Sequence, residues 1–252
     1  MTSPPRVLQV VGALEPGGIQ RFVLDLMETL REEFRFDVCA MAEKEGPWAE
    51  KARRLDATVF TCPFRQSPAS FTRRFVDLLQ HGKYDVVHVH RSSSMQALPI
   101  RAAARAGVPV RLAHYHNVRN QKPFTPRALA EPVLRGIVWR QATGIFGASA
   151  AVLDSHFGNR WKKERRCSVM PSAVNLVAYE KLPSRERARE ELGLSPDDFV
   201  VGHVGRFSPA KNQDFNVAVV EKLAPQYEHL KFMLVGDGPE REGVERLVQE
   251  RD

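Results

Sequence analysis

Apolar residues recur along this chain in two alternating patterns. Short continuous runs rich in Val and Ile are separated by longer stretches with apolar residues at helical spacing. The runs at 7–11, 36–41, 58–61, 85–90, 110–115, 144–148 and 167–170 read as strands. Between them, 19–30 carries a stripe of Phe22, Val23, Leu26 and Leu30, and 71–80 carries Phe71, Phe75, Leu78 and Leu79. Those two segments read as helices, as do 47–55, 94–106, 126–142 and 150–157, with Gly107 and Gly158 as stops. Strands alternating with helices predict an α/β fold of βαβ units around a mostly parallel sheet. Ligands of such sheets sit beyond the carboxyl ends of the strands, so 12–18, 90–94 and 116–120 are expected on one rim.

The pattern changes after Pro171. Residues 171–179 read as a link, and the charged stretch 184–191 reads as a helix stopped by Gly193. Strands at 198–205 and 231–235 and helices at 212–223 and 240–251 follow. The expected division is a first domain over 1–175 and a second over 176–252. The second holds about two βα repeats, a sheet marginal by itself and with an edge open to pairing.

The chain is 43% hydrophobic and 27% charged, ordinary for a globular protein, with a net charge of +7 that suits anionic partners such as nucleotide phosphates. Interleaved aromatics or a recognition-helix pattern are lacking, so nucleic acid is not an expected partner. Cys39, Cys62 and Cys167 lie far apart with no CxxC spacing, which argues for reduced thiols rather than a disulfide framework or zinc site. Neither a signal peptide nor a membrane span is expected, which points to a cytoplasmic protein.

Three segments carry candidate chemistry. The 7–11 strand runs into Gly12-Ala13-Leu14-Glu15-Pro16-Gly17-Gly18 and then a helix, an arrangement that aims backbone N–H groups and a helix dipole at an anion. Gly17 and Gly18 permit close approach of a phosphate or sugar. The spacing is neither GxGxxG nor a Walker loop. Further on, Arg206 follows a strand and turn glycine, and Lys211 precedes the next helix. A planar fork and a point charge beside a helix N-terminus suit a diphosphate. Finally, His88 and His90 alternate on one strand and His114 and His116 on another, with His90 and His116 nearest the carboxyl ends. The ordinary alternatives are a ligand-free turn, two solvated cations and structural histidines.

The segments together resemble the family-four retaining glycosyltransferases of GT-B fold. Gly205-Arg206-Phe207-Ser208-Pro209-Ala210-Lys211-Asn212 looks like the family's GR(L/F)xxxK(G/N) signature, and Val235-Gly236-Asp237-Gly238-Pro239 resembles the vGdGp one βαβ unit later. Gly17-Gly18-Ile19-Gln20-Arg21 is similar to the GGxxR/E loop, and the 85–90 strand to DvvHxH. Arg111-Leu112-Ala113-His114-Tyr115-His116-Asn117 resembles the riaHsHn of members that make exopolysaccharide or capsular polysaccharide. Residues 147–151 are similar to aCSxxa, and 170–175 to the iPNGvD hinge with departures at Ser172, Ala173 and Asn175.

The resemblance implies two Rossmann-like domains, the first binding the acceptor and the second the nucleotide diphosphate sugar. It implies retaining transfer of a hexose from a UDP- or GDP-linked donor to a surface polysaccharide or lipid-linked saccharide, with no cofactor and no bound metal. Carried over, Gly17, Gly18, Arg206, Lys211 and Asn212 bind the donor, and His116 faces its sugar in a catalytic role. His90, Asn117 and Arg21 are candidate acceptor or sugar contacts. The family's EGxPxxxxEA motif, whose glutamates hold the ribose and the donor sugar, has no counterpart among the 252 residues. The expectation is therefore an enzyme fragment, inactive or nearly so alone, or one chain of a two-chain transferase. A non-catalytic saccharide- or nucleotide-binding protein is the alternative. The basic stretch 161–166 is either a solvated loop or a peripheral contact with anionic lipid at the inner face of the membrane.

Overall fold

A computed structural model describes residues 3–64, 67–91, 94–119 and 126–251. The chain divides into two compact units, Met1–Asn175 and Leu176–Asp252.

The first unit is built on seven strands: β1 (Arg6–Val11), β2 (Arg35–Ala40), β3 (Val59–Thr61), β4 (Val86–His90), β5 (Val110–Tyr115), β6 (Gly144–Gly147) and β7 (Cys167–Val169). They form one sheet in the order β3-β2-β1-β4-β5-β6-β7, and every pairing is parallel. The helices between them are α1 (Gly18–Thr29), α2 (Ala49–Arg53), α3 (Pro68–Gly82), α4 (Ala97–Arg105), α5 (Pro126–Gln141) and α6 (Ala150–Phe157). The helix expected over 94–106 begins instead as a 3-10 turn, Ser94–Gln96, before α4. Gln96 is why: its side chain donates from Nε2 to the carbonyls of Arg91 and His114, tying this turn to the ends of β4 and β5.

Alternation along the strands sorts side chains to the two faces. Leu8, Val10, Val87, Val89, Ala113 and Tyr115 join one core with Phe71 and Phe75 of α3, Ile100 of α4 and Val138 of α5. Val7, Val11 and Val38 join a second core with Phe22, Val23 and Met27 of α1. Burial on both faces is the reason parallel strands read as continuous apolar runs.

The amino ends of the strands are tied by one carboxylate. Asp37 on β2 accepts from the Tyr84 hydroxyl (2.8 Å), the Arg6 guanidinium (2.8 Å) and the Thr58 backbone N–H (2.8 Å). Burial, then the hydrogen bond to Asp37, pushes the Tyr84 hydroxyl pKa well up.

The second unit has α7 (Arg185–Glu191), β8 (Phe199–Val204), α8 (Gln213–Leu223), β9 (Leu230–Val235) and α9 (Arg241–Gln249). β8 and β9 form a two-stranded parallel sheet. Its core is small: Phe207, Val217 and Val244 are buried, with Phe232, Leu234, Leu247 and Val248 packed on them. Among the described residues no helix is long and apolar enough to cross a membrane.

Of the basic stretch 161–166, Lys162, Lys163 and Arg165 are exposed, while Trp161 and Arg166 are held by the fold. The Trp161 indole donates to Asp154 (2.8 Å), and the Arg166 guanidinium donates to the carbonyls of Trp139 (3.0 Å) and Ala142 (2.7 Å) at the end of α5.

Removing the Asp37 carboxylate leaves a buried hydroxyl and a backbone N–H unpaired. Asp37→Ala is expected to cost about 2–4 kcal/mol in urea unfolding, and Tyr84→Phe about 1 kcal/mol. Equal small losses for both would show that the carboxylate is not the hub.

Candidate functional site

Strand order reverses direction between β1 and β4, the position where a parallel sheet opens a crevice at the carboxyl ends of its strands. The turn after β1 and the residues ending β4 and β5 border that opening. Gly17 is the N-cap of α1, and Gly18 is its first residue. No side chain caps this helix and no acidic residue occupies its first turn, so the positive end of its dipole is uncompensated there. Gln20 donates from Nε2 to the Ala13 carbonyl at 2.7 Å and holds the turn.

Neither glycine is demanded by the chain itself. Gly17 has extended backbone (φ 175°), and a Cβ there would lie 2.8 Å from the Gln20 side-chain oxygen, which can swing aside, and 3.9 Å from the Glu15 carbonyl. A Cβ on Gly18 would meet nothing within 4 Å. Space is therefore left open on the side of the helix start, where a ligand could approach the backbone.

The face of the sheet beneath α1 is unusual at its centre. Gln9 on β1, His88 and His90 on β4, and His114 on β5 are all buried, where aliphatic side chains would ordinarily stand. Register places His90 opposite His114 and His88 opposite Gln9. His116, one residue past β5, is half-buried beside them. Its Nε2 lies 3.1 Å from His90 Nδ1, and His90 Nε2 lies 2.8 Å from Gln9 Oε1. Since the Gln9 oxygen only accepts, His90 donates to it from Nε2 and accepts from His116 at Nδ1. The relay leaves the Nδ1 lone pair of His116 outside it. Phe22 meets the rings of His90, His114 and His116 edge-on, with centroids 5.9, 5.4 and 5.9 Å away.

Burial is the main reason that all four imidazoles stay neutral. It holds His88 and His90 well below the usual histidine value, with neighbouring imidazoles adding to the effect. It takes His116 down to about 4. Burial and then His116 take His114 to about 3, with the Met170 backbone acting the other way.

The remaining candidates of the first unit are arranged differently. Arg21 Nε is 2.9 Å from the Asp25 carboxylate one helical turn on, and Arg21 lines a groove with Trp48 and Lys51. Asn117 is exposed, and its backbone carbonyl faces His156 Nε2 at 3.1 Å. The expected rim positions Ser92, Ser93 and Asn120 lie outside the described residues. The structure adds one cation that the strand pattern did not single out. Arg91, directly after β4, sets its guanidinium against Gly12, where an added Cβ would lie 2.6 Å from Nη1. Only its place next to the 85–90 motif could have flagged it.

In the second unit, two loops interlock through their backbones. Phe207 N–H donates to the Asp237 carbonyl (2.9 Å) and Gly205 N–H to the Val235 carbonyl (2.9 Å). Gly236 (φ +152°) and Gly238 (φ +150°) are required by this fit: a Cβ would lie 2.0 Å from the Gly205 oxygen or 2.2 Å from the Phe207 oxygen. Phe207 is thereby plugged into the core, which leaves its neighbours Arg206, Lys211 and Asn212 exposed. Gln213 Nε2 donates to the Arg206 carbonyl at 2.9 Å, and the Lys211 side chain passes over Gly205. Asn212, in the left-handed region (φ 51°), is the N-cap of α8 and makes no side-chain cap bond. Two exposed cations thus flank a helix start.

Residues 17–171 match the model of the glycosyl transferase 4-like domain, and residues 184–252 match that of glycosyl transferases group 1. The chain is 27% identical over 247 residues to the glycosyltransferase EpsF of Bacillus subtilis, covering 94% of this chain and 63% of EpsF. It is 24% identical over 248 residues to the capsular polysaccharide biosynthesis glycosyltransferase CapH of Staphylococcus aureus, covering 92% of this chain and 62% of CapH. Among solved structures, Anabaena HepE in complex with UDP and glucose superposes with a TM-score of 0.76 at 22% identity, over 97% of this chain and 65% of HepE. The chain thus spans a little under two thirds of the length of these relatives. It belongs to the group 1 glycosyltransferases, and its fold is of the GT-B class.

Neutral buried histidines make stability depend on pH. Above the ordinary value of 6.5 neither the folded nor the unfolded chain protonates them; as pH falls, the unfolded chain takes up protons that the folded chain refuses until about 4 at His116. The urea midpoint of the first unit is expected to drop between pH 7.5 and 5, with a shallower slope in His114→Gln. A midpoint independent of pH in this range would mean that these rings are solvated.

Proposed function

From membership of that family, we propose that these residues are the acceptor-side unit and part of the donor-side unit of an enzyme. The enzyme transfers a hexose, with retention, from a nucleotide diphosphate sugar to a surface-polysaccharide or lipid-linked saccharide acceptor. The observation that carries the reading is the Gly205–Asn212 loop, in which backbone interlock with Gly236 and Gly238 fixes two exposed cations at the start of α8. Arg206 offers the diphosphate a two-pronged donor, and Lys211 a compact charge. Both interactions strengthen as negative charge builds on the departing group, so they act on the transition state more than on the bound donor. Asn212 stands at the helix start beside them.

In the first unit, Gly17 and Gly18 would bring the uncapped start of α1 against the donor's phosphate or sugar. His116 would accept a hydrogen bond at Nδ1 from a hydroxyl of the transferred sugar, its ring fixed through Nε2 by His90. Arg21 and Asn117 are candidate acceptor contacts. The likeness to the glycosyltransferase EpsF and to CapH, a glycosyltransferase of capsular polysaccharide biosynthesis, and the UDP in the HepE complex support a nucleotide-sugar transferase of surface polysaccharide. The place of action under this reading is the cytoplasm, at the inner face of the membrane, where lipid-linked acceptors are presented.

Calorimetric titration with UDP, GDP and UDP-glucose tests the donor site. Arg206→Ala and Lys211→Ala are each expected to weaken binding by about 10- to 100-fold, the weight of a charged hydrogen bond, and Arg206→Lys not to restore it. Equal affinity in all three variants would move the diphosphate elsewhere. Gly18→Ala should leave the melting temperature unchanged, since the new methyl meets no protein atom, yet reduce transfer by the full-length enzyme. Unchanged transfer would remove α1 from the donor site. A product with inverted anomeric configuration would refute retention.

A further inference from the structure

The histidine block under α1 has more capacity than a sugar contact uses. His88, His90 and His114 each present a ring nitrogen within 4.8 Å of the other two, and all three residues are buried. A polar cluster at this depth is stable only when its donors and acceptors are paired. Here Nε2 of His88 and Nε2 of Gln9 have no hydrogen-bond partner among the described residues, and His114, whose ring faces the Met170 backbone, makes no well-formed hydrogen bond at either nitrogen. Four such atoms gathered on three neighbouring strands mark a place built for something besides protein atoms.

We propose that His88, His90 and His114 bind one divalent transition-metal ion of the zinc class. The donor set fits that class. Neutral imidazoles are its usual nitrogen ligands, and three of them with one further position is a recurrent zinc arrangement. The backbone supplies the geometry: two histidines at i and i+2 project from β4, and the third stands on β5 directly opposite His90. Tetrahedral coordination at about 2.0–2.1 Å requires nitrogens about 3.4 Å apart, so side-chain rotations that draw the rings together by at most an ångström or so complete it. His90 is already oriented by an outer partner. Its Nε2–H donates to Gln9 Oε1, which leaves Nδ1, now beside His116, as the lone-pair nitrogen, as outer-shell acceptors do for metal-bound histidines. Metal at Nδ1 would displace the hydrogen bond from His116 and free that residue to take the fourth position or to yield it to water. A metal here departs from the absence of metal that the family resemblance implies, and because it takes His90 Nδ1 it removes the hydrogen bond that fixes His116 for the proposed sugar contact, so the two arrangements of His116 are alternatives.

The test titrates chelator-treated, desalted protein with Co²⁺ and Zn²⁺. The expected result is one equivalent of Co²⁺ bound with the visible absorption of a low-coordinate, nitrogen-ligated centre, displaced by Zn²⁺, with the imidazole NMR signals of three histidines shifting together. His88→Gln and His114→Gln should abolish the spectrum. Gln9→Ala, which removes only the outer partner, should weaken binding by about 10- to 100-fold. His203→Gln and His229→Gln, on the second unit, should leave it unchanged. Near-ultraviolet circular dichroism verifies that each variant is folded, and the titration of the unsubstituted chain does not depend on any variant. Folded protein that binds neither ion, or binding that survives His88→Gln and His114→Gln, overturns the proposal.

Discussion

The parallel run of all seven strands in the first unit is the constraint on which everything else rests. Every connection must cross back over the sheet, so every strand ends at the same rim, and the reversal of order between β1 and β4 parts the loops there. One consequence is positional. The turn after β1, Arg91 after β4 and His116 after β5 come from distant parts of the sequence, yet they share one edge because their strands are neighbours. A second consequence is a division of labour. Asp37, Tyr84 and Arg6 bind the opposite ends of β1, β2 and β4 together, while at the carboxyl rim Gln96 ties the ends of β4 and β5.

The same constraint accounts for the histidine block. Central strands of a parallel sheet are covered on both faces, so any polar side chain placed there is buried and must find partners within the sheet. Gln9, His90 and His116 form a directed relay, whereas His88 Nε2 has no hydrogen-bond partner among the described residues and His114 has only the Met170 backbone facing its ring. Phe22 closes the block from α1 by offering ring edges instead of hydrogen bonds. The second unit applies a different device to a similar end. Its exposed cations are held in place by Gly236 and Gly238, which let one loop's backbone close on the other's and drive Phe207 into the core.

Much of this was legible in the residues. The strands were readable because burial on both faces writes them as continuous apolar runs, and β5 and α6 carry the predicted limits. The glycine turn, the Arg206–Lys211 spacing and the paired histidines were visible because each rests on local sequence. What was not legible depends on contacts across the sheet. The 3-10 turn at Ser94–Gln96 arises from Gln96 reaching the ends of two strands, which no local pattern reveals. The basic stretch 161–166 reads as a solvated or lipid-facing run, but Arg166 is spent on the carbonyls ending α5. Likewise, Gln9 looks like an unremarkable interruption of an apolar strand until His90 is seen beside it.

The proposed grip on a nucleotide diphosphate rests above all on the loop beginning α8, where Arg206 and Lys211 stand exposed. Amide hydrogen exchange of the protein with and without UDP-glucose is the measurement to make. Slowed exchange at 205–213, with β8 and β9 little changed, is the expected result. Unchanged exchange at 205–213 under saturating UDP-glucose would contradict a diphosphate held by that loop.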